Sequence, residues 1–196
     1  PLTSSGKGLA VTRCTGRCAK SNAMKNYLNR SVVVSVSGHP VSIKGKLIDI
    51  GSDIIVLYDG SHYVYMPVIH IQHLTLAPPG ETEFVVPEDH PQEPITELSY
   101  RKVLLTAKGK FVVLHISSQH TVHGYITSIM NDFFVFHSPM IKALYVSMQH
   151  LKMLIPYDPE KTPYAMKQEL FTLIPAPASL ARTFDQALGG ADFLGD

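Results

Sequence analysis

Gly45-Lys46-Leu47-Ile48-Asp49-Ile50-Gly51-Ser52-Asp53-Ile54-Ile55-Val56-Leu57 lies against Gly124-Tyr125-Ile126-Thr127-Ser128-Ile129-Met130-Asn131-Asp132-Phe133-Phe134-Val135-Phe136. Both glycines and both aspartates coincide, with apolar residues matched around them, and this self-similarity decides the reading of the chain. Upstream, Val32 to Gly38 matches Val112 to Ser118 at an offset of 80, with one gap at Pro40. Downstream the offset returns to 80 and places Tyr65 to Ile71 on Tyr145 to Leu151, so that His70 recurs as His150. Two copies of a unit of about 50 residues account for most of residues 31–155.

Each copy reads as five short strands. Ser31 to Ser37 alternates through Val32, Val34 and Val36, the period of a strand with one buried face. Val41 to Ile50 alternates again, and Gly51-Ser52-Asp53 is turn chemistry. Ile54 to Tyr58, His62 to Met66 and His70 to Leu76 complete the first set, with Asp59-Gly60 as a hairpin turn. The second set runs Phe111 to Ser117, Thr121 to Met130, Phe133 to His137, Ala143 to Val146 and His150 to Ile155. So many short strands in so few residues are expected to curl into a small barrel, because a flat sheet of that size leaves its edges and one apolar face in water.

Helical patterning precedes the strands. Thr96 as N-cap, then Leu98, Val103, Leu104 and Ala107, and Gly109 as C-cap predict a helix ahead of the second copy. Met24 to Arg30 predicts a shorter one ahead of the first. Ser179 to Gly189, with Leu180, Phe184 and Leu188 at helical spacing, sits at an offset of 80 from Ser99 to Gly109 and reads as the leading helix of a third unit whose strands are missing.

The predicted organisation is therefore a tail over 1–23, a first barrel over 24–76, a linker over 77–95, a second barrel over 96–155, and a proline-rich segment with a C-terminal helix over 156–196. The tail is basic, rich in Gly, Ser and Thr, and ends in Ser21-Asn22-Ala23 before Met24, which resembles a tag-cleavage scar; it is expected to be disordered. The linker carries five prolines and five acids without a base, which keeps it extended and solvated. Residues 156–178 hold five more prolines around a short predicted helix from Tyr164 to Phe171.

Composition excludes several classes. With 45% apolar residues the chain has material for a core, and no apolar stretch reaches the roughly 20 residues of a membrane span. The net charge of +1 conceals an acidic body: Lys7, Arg13, Arg17 and Lys20 all lie in the tail, and removing these four of 17 basic residues leaves 13 against 16 acids. Such a body lacks the electrostatic footprint of a duplex nucleic-acid binder. Cys14 and Cys18 lie in the tail without two further metal ligands nearby.

The order of leading helix, five strands, and a Gly-x-Leu followed by a turn and a second apolar strand resembles the Sm-like barrel, a relative of SH3-like folds. Lys44-Gly45-Lys46-Leu47, Ser52-Asp53 and His70-Ile71 look most like the tandem units of the spore coat protein B family of endospore-forming bacteria, over roughly residues 24–155. The resemblance implies a mainly β protein of two tandem five-stranded barrels, each led by a short helix. It also implies a non-catalytic component of the spore surface layers, made in the cytoplasm and assembled into the coat. Gly51 and Ile55, and Met130 and Phe134, stand where RNA-binding Sm proteins carry an aspartate and an asparagine; Met66-Pro67 and Val146-Ser147 replace the Arg-Gly segment. The resemblance thus carries base recognition to neither copy.

The residues offer little chemistry beyond this. All ten histidines lie in the body, and His120 and His123, near His115, suggest a metal, but strand residues three apart face opposite sides. His70 and His73 fail in the same way, and the recurring His70 and His150 are read as caps of the last strand. No Gly-x-Ser-x-Gly elbow or phosphate loop occurs; paired carboxylates for hydrolysis would have to come from Asp49, Asp53, Asp59 or Asp132, and the repeated Asp53 and Asp132 fall within a turn, where aspartate serves the backbone. No enzyme, cofactor or metal is expected. The repeat signature Gly45, Asp53, His70, Gly124, Asp132 and His150 is read as structural. The alternative is a single-stranded RNA-binding module using Tyr58, Tyr63, Tyr65, Arg101 and Lys102. The expected partners are other coat or scaffold proteins, or copies of the chain itself, rather than nucleic acid or a membrane. Because the two barrels pair with each other, the expected state is a monomer or open chain rather than a closed ring.

Overall fold

The duplicated strand pattern is met by a mainly β protein. The computed structural model describes residues 24–80, 84–87, 97–117, 120–157 and 181–189. The first copy supplies β1 (Ser31–Val36), β2 (Ile43–Ile50), β3 (Ile54–Tyr58), β4 (Tyr63–Pro67) and β5 (Ile71–Leu76). The second supplies β6 (Phe111–His115), β7 (Thr121–Ile129), β8 (Phe133–Ser138), β9 (Lys142–Ser147) and β10 (Met153–Pro156). All ten join one antiparallel sheet in the order β5-β1-β2-β3-β4-β10-β6-β7-β8-β9. Each half therefore has its fifth strand beside its first, and the halves meet where β4 pairs with β10.

The curvature has a cause that recurs. The β2–β3 register shifts between Leu47 and Asp49, and the β7–β8 register shifts between Ile126 and Ser128, so Ile48 and Thr127 are the extra residues of matched bulges. A bulge bends its strand and increases the local twist. Gly45 and Gly124 sit where the neighbouring strand crosses most closely: a Cβ on Gly45 would come within 2.6 Å of the Tyr58 carbonyl oxygen, and one on Gly124 would collide with the carbonyl of His137.

Two cores follow from the alternation. Val32, Val34, Leu47, Ile55, Leu57, Val64 and Met66 fill the first, and Met153 from β10 joins them. Leu114, Ile126, Phe134, Phe136 and Leu151 fill the second, together with Ile54, Val56, Tyr63 and Tyr65 from the opposite face of β3 and β4. Those two strands are buried at every position because they carry core on both faces.

Helix α1 (Tyr100–Ala107) turns Val103, Leu104 and Ala107 into the second core. Its N-cap is Ser99, whose Oγ accepts from the Lys102 amide, whereas Thr96 lies outside the described residues. Gly109, at φ +75°, follows its end in the left-handed conformation that glycine adopts readily. The helix expected over Met24 to Arg30 is a single 3-10 turn, Lys25–Tyr27, ending before Asn29 takes a positive φ. Helix α2 (Phe184–Gly189) starts after residues 181–183, which are not helical, and Ser179 and Leu180 of the predicted run lie outside the described residues. The tail and the predicted helix over Tyr164 to Phe171 lie outside the described residues.

Candidate functional site

The feature built with most care is the junction between the halves. At its centre Leu154 of β10 stands opposite Tyr65 of β4, both buried. On one flank Lys152 Nζ donates to His70 Nδ1 at 3.0 Å and to Ser37 Oγ at 3.2 Å, tying the second half to the first. Burial, and next the Lys152 ammonium, lower the His70 pKa to about 4, so the imidazole is neutral and free to accept. Burial also lowers Lys152 and His115, and the His115 ring meets His39 of the first half edge-on at 6.2 Å between centroids.

The recurring aspartates each hold the start of a helix. Asp53 Oδ1 accepts from the Tyr100 amide at 2.7 Å, and Asp132 Oδ1 accepts from the Phe184 amide at 2.9 Å. Each carboxylate thus caps the first residue of the helix that follows its half, satisfying an orphan donor and complementing the positive end of the helix. The neighbouring bonds repeat as well: Ser52 N to Leu98 O, Asn131 N to Arg182 O, Val68 N to Asp53 O and Met148 N to Asp132 O. By these contacts Phe184 is the counterpart of Tyr100, four residues later than the sequence offset of 80 sets it. α1 also reaches forward, with Tyr100 Oη donating to Met148 O at 3.1 Å and Arg101 Nη1 donating to the carbonyls of Met130 and Asn131.

The other singled-out residues are not gathered into a site. Tyr58, Tyr63 and Tyr65 are 6%, 8% and 3% exposed, so their rings present no stacking platform; Tyr58 Oη donates to Gly60 O. Arg101 is committed to the carbonyls above, and Lys102 lies 3.4 Å from Glu97. His115 contacts Thr121, His120 contacts Ser117, and His123 contacts the hydroxyl of Tyr157, which sends the three imidazoles to separate partners. Asp59 accepts from the Ser61 and His62 amides in the β3–β4 hairpin. His70 is more than a strand cap: it crosses the junction, while its counterpart His150 is exposed. Lys152 carried no sequence signal, since its matching position in the first copy is Gln72.

The sheet ends in two open edges, β5 and β9, each paired on one side within the described residues. Near β9, Met140 and Ile141 are 80% and 54% exposed. No helix among the described residues is long and apolar enough to cross a membrane.

No protein-family model matches the chain. Among curated proteins, "Uncharacterized protein YwrJ" of Bacillus subtilis (strain 168) is 37% identical over 170 residues, which span 84% of this chain and 75% of the relative. At that identity and coverage the chain belongs to the YwrJ family.

Proposed function

We propose that the chain is a non-catalytic scaffold of the spore surface layers that assembles through its strand edges, and that each half is a small Sm-like barrel. The observation that carries the reading is the junction itself. Two five-stranded halves of the same strand order are joined by an edge-to-edge strand pair, β4 with β10, and among the described residues the edges of β5 and β9 remain open. An open edge offers a row of main-chain donors and acceptors to an added strand, which supplies affinity without a dedicated pocket. The barrel assignment draws on the order β5-β1-β2-β3-β4, its repetition and the matched bulges. The coat assignment draws on the likeness of Lys44 to Leu47, Ser52-Asp53 and His70-Ile71 to tandem coat-protein units. Other layer proteins and the chain itself are the partners this implies, with synthesis in the cytoplasm.

Fluorescent tagging in a sporulating Bacillus tests it. The expected result is a shell of signal around the developing spore that survives washing in salt. Diffuse signal in the mother cell throughout sporulation overturns the coat assignment. In parallel, single-stranded RNA in a low-salt filter assay is expected to be left unbound at micromolar protein; salt-sensitive retention replaces the scaffold reading with a nucleic-acid one.

A further inference from the structure

We propose that copies of this chain join head to tail, the open edge of β9 in one copy pairing with the open edge of β5 in the next, with Tyr145 opposite Leu74. The inference rests on the strand-edge reading above and names its partner, a second copy. The internal junction is the template. There Leu154 of β10 stands opposite Tyr65 of β4. Moved by the offset of the duplication, Tyr65 becomes Tyr145 and Leu154 becomes Leu74. Each strand keeps its register on its own half: Tyr65 pairs Val56 as Tyr145 pairs Val135, and Leu154 pairs Leu114 as Leu74 pairs Val34. The backbone that forms the junction is therefore present a second time, with its two strands at opposite ends of the sheet.

The side chains agree with that continuation. The β3–β4 hairpin tip is polar, Asp59-Gly60-Ser61, whereas the β8–β9 tip carries the exposed Met140 and Ile141. In the extended register Ile141 and Met140 face Pro78 and Pro79 of the next copy, and Ala143 faces Leu76, which is 43% exposed. The exposed His150 then takes the position of His70, and Gln72 of the next copy takes that of Lys152, so that the amide donates to the imidazole without bringing a charge. The contact joins unlike edges and leaves one of each free, so it propagates instead of closing a two-fold pair.

Intermolecular cross-linking of the full chain tests this, in a background of Cys14→Ser and Cys18→Ser. Thr75→Cys and Leu144→Cys, opposite each other in the proposed register, are prepared in separate chains and mixed under mild oxidation. The expected result is a disulfide-linked dimer at least tenfold more abundant in the mixture than in either chain alone. The more exposed pair Leu76→Cys and Ala143→Cys is expected to repeat it with less disturbance of the fold. In sedimentation, the chain without these substitutions is expected to gain mass continuously with concentration. A cross-link between two Leu144→Cys chains as abundant as the mixed one, a mass that stops at dimer, or association without the mixed cross-link each overturns the head-to-tail register. A monomer at every concentration overturns the inference and leaves the coat assignment to its own localisation test.

Discussion

Gly45 and Gly124 are the residues at which the duplication is read most directly, because both are required by the same close crossing. The nearest atoms to an added Cβ are backbone carbonyls of Tyr58 and His137, which cannot swing aside as a flexible side chain does. Gly45→Ala and Gly124→Ala are each expected to cost about 1–3 kcal/mol from overpacking, read as a lowered urea midpoint; an unchanged midpoint in both would show that β3 and β8 can shift to make room. Repetition made these glycines legible in the sequence, and it made His70 visible too, but not what His70 does. Its role depends on Lys152, a residue the duplication does not repeat. Burial first and the Lys152 ammonium second hold the imidazole down at about pH 4 against an ordinary 6.5. A folded pKa below the unfolded one means that the stability tied to neutral His70 is complete above pH 6.5 and is lost as the pH falls toward 4. His115, lowered by burial and then by His39 and His123, acts in the same direction. Between pH 7 and 4.5 the stability is expected to fall by about 2–3 kcal/mol from His70. Urea titrations across that range check it, and His70→Gln is expected to flatten the dependence; an equally steep profile in that variant would place the titration elsewhere.

At the scale of the element, alternation marked β1 and β2, while short apolar runs between turn residues, together with the repeat, marked the others. β3 and β4 are apolar at both parities, and the reason is a property of the assembly: one face lines the first core and the other lies under the second half and α1. The helix boundaries were less legible because part of their capping is tertiary. Ser99 caps α1 locally through the Lys102 amide, but the Tyr100 and Phe184 amides are satisfied by aspartates 47 and 52 residues earlier, which no local motif announces. Asp53→Ala and Asp132→Ala are each expected to cost about 0.5–2 kcal/mol, with Asn at either position retaining most of it through its side-chain oxygen. The two differ in reach. Loss of Asp53 loosens a helix that packs into the second core, whereas loss of Asp132 is expected to raise amide exchange only over Phe184–Gly189 and the adjoining turn. Protection unchanged at Phe184 in Asp132→Ala would remove the aspartate from the clamp.

The molecule as a whole depends on the junction, and this was the least legible level. The sequence showed two like units and an acidic connector between them, while β10, which separates β4 from β6, belongs by sequence to the end of the second unit. Nothing in its four residues announces that Leu154 meets Tyr65 or that Met153 enters the other half's core. Those contacts make the halves interdependent: Met153 is part of the first core, and Ile54, Val56, Tyr63 and Tyr65 are part of the second. The halves are therefore expected to unfold in one transition, since opening the junction uncovers apolar surface on both sides of it. Leu154→Ala removes the central contact and is expected to cost about 2–5 kcal/mol as a buried large-to-small change. Hydrogen exchange separates this coupling from local damage. If the junction joins the cores, the slowest amides of β1 and β7 lose protection together and by the same factor in Leu154→Ala. Loss confined to β6, β7 and β10, with β1 unchanged, would mean that the first half stands without the second and that their strand pairing is a contact between independent bodies.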